Sequence, residues 1–117
     1  MRYPFGILQR WKNVLCRIKT TYPPYTGFPY VMTSYDSQLY MEMQAPDFGQ
    51  VYLTVRRDGY SGGGSATTIE NYLIDIGELF THTFDLTGDE KTVFKFSYAA
   101  STPVYFSING HTIFDNR

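Results

Sequence analysis

Pro103-Val-Tyr-Phe-Ser-Ile-Asn-Gly-His-Thr-Ile-Phe114 decides the fold. Asn109-Gly110 separates two apolar-rich runs, and this dipeptide accepts the positive φ that a type I′ turn requires at both central positions. The turn predicts a β-hairpin with Phe106 opposite Ile113 on one face and Tyr105 opposite Phe114 on the other. Just upstream, Phe94, Phe96 and Tyr98 alternate with Val93, Lys95 and Ser97, the period-two pattern of a half-buried strand.

The same alternation recurs toward the N-terminus. Leu39, Met41 and Met43 alternate with Tyr40, Glu42 and Gln44, and Val51, Leu53 and Val55 with Tyr52, Thr54 and Arg56. Further strands are expected at about 30–34, 68–76, 79–86, 103–108 and 111–115. Turn chemistry separates them: Pro46-Asp47-Phe48-Gly49, a long loop over Asp58-Gly-Tyr-Ser-Gly-Gly-Gly-Ser-Ala66, and Thr87-Gly-Asp-Glu-Lys91. The expected body, residues 31–117, is all-β: a single β-sandwich or jelly roll of about eight short strands, with a barrel as the alternative.

Composition agrees with a folded, strand-rich chain. Of 117 residues, 43% are hydrophobic and 18% aromatic, and flat rings pack well across pleated surfaces. Cys16 is the single cysteine, which excludes an intrachain disulfide and leaves stability to packing or association. No stretch has the apolar length of a spanning helix, and the start Met-Arg-Tyr-Pro does not read as a signal peptide. We therefore expect synthesis in the cytoplasm without a signal peptide.

Charge is divided along the chain. Residues 1–22 carry Arg2, Arg10, Lys12, Arg17 and Lys19 and no acid, giving +5; residues 23–117 carry five basic and eleven acidic side chains, giving −6. Within this basic arm, Ile7, Leu8, Trp11, Val14, Leu15 and Ile18 fall on one stripe of a 3.6-residue period, with Arg10, Lys12, Arg17 and Lys19 on the other face. An amphipathic helix is expected, against a competing strand over 13–21 with Val14, Cys16, Ile18 and Thr20 on one face. Residues 23–30 form a Pro-and-aromatic connector, expected to run extended and pack its rings over the sandwich edge.

Chemistry-bearing motifs are few. Gly62-Gly63-Gly64 lacks the Gly-Lys-Ser/Thr ending of a phosphate loop and is read as a hairpin loop, with Tyr60 at its tip as a candidate contact residue. His82 and His111 are the only histidines and fall in predicted strands. Asp85, Asp89 and Glu90 have oxygens suited to Ca²⁺, yet an exposed turn explains them equally. No catalytic residue, metal ligand or cofactor is assigned, and enzyme activity is not expected.

Val93-Phe-Lys-Phe-Ser-Tyr-Ala-Ala-Ser-Thr-Pro-Val-Tyr-Phe-Ser-Ile-Asn-Gly110 resembles the paired strands of carbohydrate-binding jelly rolls. The resemblance implies a fold and carries no sugar or calcium residue with it. The favoured expectation is a non-enzymatic structural or assembly subunit, associated with a virion, phage particle or similar appendage. Its partners would be copies of itself or a larger shell or appendage protein, met by the arm residues Ile7, Leu8, Arg10, Trp11, Lys12, Val14, Leu15, Arg17, Ile18 and Lys19. The alternatives are a glycan-binding or host-recognition module using Tyr60, and a protein whose arm lies on a membrane surface. Five charges among so many apolar residues do not support nucleic-acid binding.

Overall fold

The computed structural model describes residues 19–117, and the helical arm predicted for the N-terminus lies almost wholly outside the described residues. The described chain forms β1 (Tyr30–Ser34), β2 (Gln38–Gln44), β3 (Val51–Ser61), β4 (Gly64–Ile74), β5 (Leu79–Asp85), β6 (Lys91–Ala100), β7 (Tyr105–Ile108) and β8 (His111–Asp115). All pairings are antiparallel. They make two four-stranded sheets, ordered β1-β6-β3-β4 and β5-β2-β7-β8. Only the hairpins β3–β4 and β7–β8 stay within a sheet, and every other connection crosses between sheets.

The period-two residues explain this arrangement. Leu39, Met41 and Met43 of β2, Val51, Leu53 and Val55 of β3, and Phe94 and Phe96 of β6 are all buried, while their alternating neighbours face outward or lie part-buried. Both sheets thus contribute one apolar face to a common core. Phe84 of β5 meets Phe94 at 5.4 Å between ring centroids, Phe94 stacks on Phe96 at 5.5 Å, and Phe96 meets Phe106 of β7 at 5.1 Å. This row of rings crosses from one sheet to the other and back.

The connector's rings pack against the strands. Tyr30 donates its hydroxyl to the Pro23 carbonyl at 2.7 Å. Phe28 lies edge-on to Tyr98 at 5.0 Å and near Phe106 and Phe114, while Tyr25 contacts Phe114 at 4.5 Å. Tyr22 stacks on His111 at 4.6 Å and accepts a hydrogen bond from Asn109 at 3.1 Å. The Thr20 hydroxyl receives the Tyr35 N–H at 2.9 Å and donates to Asp36 at 3.0 Å. Residues 20–30 therefore run beside β8 before turning into β1.

Two expectations are corrected. The predicted loop over Asp58–Ala66 is largely strand: β3 and β4 pair without interruption to Ser61↔Gly64, leaving Gly62 and Gly63 as the whole turn. Their φ values of 57° and 83° are those of a type I′ turn, so two glycines satisfy the geometry and Ser, Ala and Thr continue the ladder. In the second hairpin, Asn109 and Gly110 adopt the expected positive φ, 52° and 79°. The predicted pairing of Phe106 with Ile113 and Tyr105 with Phe114 fails, however. The register is Ser107↔Thr112 and then Phe106↔Phe114, with Ile113 as the extra residue of a β-bulge. The bulge turns Phe114 toward Phe28 and Phe106 while Ile113 also packs on the core, so it gains apolar burial that strict alternation would lose.

Because Phe106 is fully buried and touches Phe28, Tyr30, Phe96 and Phe114, its truncation leaves a cavity that four rings cannot collapse into without losing their own contacts. Phe106→Ala is expected to cost about 3–5 kcal/mol in denaturant unfolding. Phe48→Ala, at an exposed turn, should stay within about 0.5 kcal/mol of wild type.

Candidate functional site

The loops at the end of the sandwich where β2, β4 and β6 finish are held by backbone hydrogen bonds. Ala45 N–H donates to Glu78 O at 3.1 Å and Gly77 N–H to Pro46 O at 2.9 Å, which joins the β2–β3 loop to the β4–β5 loop. Ser101 N–H reaches Gln50 O at 3.0 Å, and Val104 N–H reaches Gln44 O at 2.9 Å. Side chains add to the frame: Gln50 donates to Asp75 at 2.9 Å, and the Gln44 amide donates to Gly77 O at 3.2 Å. Gly77 has φ of 70° and its Cα faces the Asp47 carboxylate, so a side chain there would be strained in a tight space.

This fixed end presents apolar side chains to solvent. Phe48 is 83% exposed at the turn Pro46-Asp47-Phe48-Gly49, Ile76 is 56% exposed in the facing loop, and Leu79 is 44% exposed at the start of β5. Beside Phe48 a groove of about 340 Å³ is lined by Gln44, Asp47, Val104, Asn116 and Arg117. Arg117 lies 3.7 Å from the centre of the Tyr105 ring and bonds Asp115 at 3.0 Å and Gln44 at 3.2 Å.

Gln44 also belongs to β2, whose residue Glu42 anchors a polar cluster with β7. There the Glu42 carboxylate accepts hydroxyl hydrogen bonds from Tyr40 at 2.7 Å, Tyr105 at 3.1 Å and Ser107 at 3.4 Å. The Tyr40 hydroxyl above all, with Tyr105, Ser107 and Arg117, holds the Glu42 carboxyl below its ordinary pKa, and the same bond raises the Tyr40 phenol. A carboxylate held this way stays ionised and serves as a hydrogen-bond acceptor. It braces β2 against β7.

The two histidines lie on β5 and β8, the opposite edges of one sheet. His82 Nε2 is 3.3 Å from the Tyr72 hydroxyl and its ring packs on Phe84, while His111 is exposed and stacks on Tyr22. Asp85 accepts the Thr87 N–H at 3.0 Å and Asp89 accepts the Thr92 hydroxyl at 3.0 Å, so each organises its own turn. Among the described residues, no group of three or more His, Cys, Asp or Glu side chains is placed to hold a metal ion.

Of the predicted contact residues, Ile7, Leu8, Arg10, Trp11, Lys12, Val14, Leu15, Arg17 and Ile18 lie outside the described residues, and Lys19 is exposed. Tyr60 is not at a loop tip. It sits within β3, opposite Ser65 and Lys91, 37% exposed on the outer face with the Lys91 ammonium 5.1 Å from its ring centre. The most exposed large apolar residue among those described, Phe48, was passed over, although a Phe inside Pro-Asp-Phe-Gly is its own signal. A turn gives such a ring no sheet face to pack on. Comparison with protein-family models, curated proteins and solved structures finds no match.

The Glu42 cluster predicts a pH effect. Its folded pKa is depressed, so its contribution to stability is present above the ordinary glutamate range and lost as pH falls through it. Asp85 and Asp115, lowered by hydrogen bonds from Thr87 and Arg117, act in the same direction. The difference between wild type and Glu42→Gln isolates the one group: it should favour wild type at neutral pH and shrink as pH is lowered to about 3. Urea unfolding across a pH series measures it, and a gap that widens on acidification would contradict the assignment.

Proposed function

We propose that this protein is a non-enzymatic assembly subunit whose loop end, formed by Phe48, Ile76 and Leu79, is covered by neighbouring subunits. The observation that carries the reading is Phe48, a phenylalanine 83% exposed on a loop pinned by backbone hydrogen bonds. A rigid turn does not collapse to bury its ring, so the apolar surface is available to a partner at little ordering cost.

The order of sheet crossings supports the finer jelly-roll reading, in which strands alternate between two facing four-stranded sheets. That architecture is used in capsid domains and in lectins, so association with a virion, phage particle or similar appendage rests on fold analogy. The charge division adds to it. An arm of +5 and a body of −6 attract across a contact between copies as well as within one. The arm's six apolar residues would carry more of that contact than its charges, so Trp11→Ala should weaken association more than Lys12→Ala.

Sedimentation tests the reading. Wild type is expected to form concentration-dependent assemblies, and the double variant Phe48→Asp/Ile76→Asp to lose the higher-order species while keeping its circular dichroism. Raising sodium chloride should weaken assembly modestly, because exposed charge attraction is screened over about 8 Å at physiological ionic strength. Higher-order assembly unaffected by the double variant would overturn the role of this end.

A second reading, glycan binding, is favoured by the groove beside Phe48, where Asp47 and Asn116 stand next to an exposed ring. A sugar would stack its C–H face on the ring and bond the polar groups with its hydroxyls. On this reading Phe48→Ala and Asn116→Ala reduce binding on a glycan array, whereas Tyr60→Ala has little effect.

A further inference from the structure

Among the strands at the sheet edges, β4 is the longest, with 11 residues against 5 in β1, 7 in β5 and 5 in β8. Its outer side has no strand beside it among the described residues, so alternate N–H and C=O groups along it face away from β3. The connector runs beside β8, with Tyr22 on His111 and Tyr25 on Phe114. Among the described residues, no such segment lies along β4. Nor does its sequence, Gly64-Ser-Ala-Thr-Thr-Ile-Glu-Asn-Tyr-Leu-Ile74, contain the Lys or Pro that commonly guards an edge. Its pairing to β3 is unbroken from end to end, so no bulge twists it away.

The strand is also complementary to itself. Ile69, 59% exposed, is its middle residue and lies on the outer face with Ser65, Thr67, Asn71 and Leu73. A two-fold axis through Ile69, perpendicular to the sheet, sets Ile69 opposite its own copy, Thr67 opposite Asn71 and Ser65 opposite Leu73. On the inner face the same axis sets Thr68 opposite Glu70 and Ala66 opposite Tyr72. Each pair shares a face, as an antiparallel ladder demands. The single charge, Glu70, does not meet its copy and is 3.3 Å from Arg57 of its own chain. Centring the axis on Glu70 instead would bring two carboxylates together, so the charge excludes that register, and the axis on the middle residue Ile69 is the one that pairs the strand over its full length.

We propose that a second copy of this chain adds its β4 antiparallel to β4, joining two four-stranded sheets into one continuous sheet across a two-fold dimer. This is an isologous strand-addition interface, satisfied by main-chain hydrogen bonds and an Ile69–Ile69 contact. It uses a surface separate from the loop end, so it stands or falls independently of the assembly reading there.

The test uses the full chain. Wild type should sediment as a dimer at micromolar concentration, and Ile69→Lys should be monomeric with unchanged circular dichroism. Phe48→Asp/Ile76→Asp should leave this dimer intact while removing higher-order species. In a Cys16→Ser background, Ile69→Cys should oxidise to a disulfide-linked dimer faster than Thr67→Cys or Leu73→Cys, because only residue 69 faces its own copy at about 4.5–5.5 Å between Cβ atoms. Three outcomes would overturn the proposal: a monomer at every concentration, a dimer that survives Ile69→Lys, or cross-linking no faster at 69 than at 67 and 73. The cysteine series decides the matter even if the lysine variant misfolds.

Discussion

The contact on which the rest of the structure depends is the row of rings from Phe84 through Phe94 and Phe96 to Phe106. Each ring is buried, and consecutive centroids are 5.1–5.5 Å apart. Because β5 and β7 belong to one sheet and β6 to the other, this row is how the sheets hold each other without a disulfide. Aromatic pairs at these spacings contribute about 0.5–1.5 kcal/mol beyond their area. The methionines of β2 fill the remaining space, their flexible thioethers fitting between rings of fixed shape.

The two long sides of the sandwich close differently, and that difference decides what is left open. Along β8, the connector supplies Tyr22, Tyr25 and Phe28, so rings from outside the strands complete the apolar surface. On the β4–β5 side the closure is partly polar. Tyr72 and His82 meet there, and Arg57 runs between Glu70 and the Asp85 carbonyl, with its guanidinium carbon 5.4 Å from the centre of the Phe84 ring. The Arg57 Nε and Glu70 Oε1 atoms are 3.3 Å apart yet aligned too poorly to bond, although Arg57 Nη2 reaches Glu70 Oε2 at 3.4 Å. A part-buried ion pair of this quality adds little stability, but removing one member leaves the other's covered atom without its counter-charge. It retains Glu70 on the inner face of β4 and leaves the strand's outer face to Thr67, Ile69 and Leu73.

Strands β2, β3 and β6 were legible because each carries its own period-two signal, and alternation alone places Phe94, Phe96, Leu39 and Val55 on the core side. Where the sequence misled, a local rule competed with a distant one. Three successive glycines read as slack, yet only Gly62 and Gly63 need positive φ, and Ser61 and Gly64 pair across them. The second hairpin has the turn its Asn-Gly demands, while its register answers to Phe28, some eighty residues away, which no local pattern contains. The exposed loop end was hidden for a different reason. The turn Pro46-Asp47-Phe48-Gly49 keeps the Phe48 ring off the sheet faces, but the sequence does not state which distant residues approach it.

The frame also separates what is rigid from what is available. Glu42 ties β2 to β7, and the backbone bonds around Pro46 and Gly77 tie the loops, so neither the loop end nor the long β4 edge can bury itself by local collapse. Exposed edges and exposed rings are tolerated in a monomer when charge or motion guards them, and here β4 carries one inward-paired acid while Phe48 sits on a fixed turn. The two surfaces also differ in kind. An edge is completed by another edge through directional main-chain bonds and fixes a two-fold, whereas an apolar turn fits any groove of suitable shape and does not set a symmetry. On the proposed reading, a subunit with one contact of each sort would form a defined pair first and leave the geometry of larger assembly to whatever groove receives Phe48.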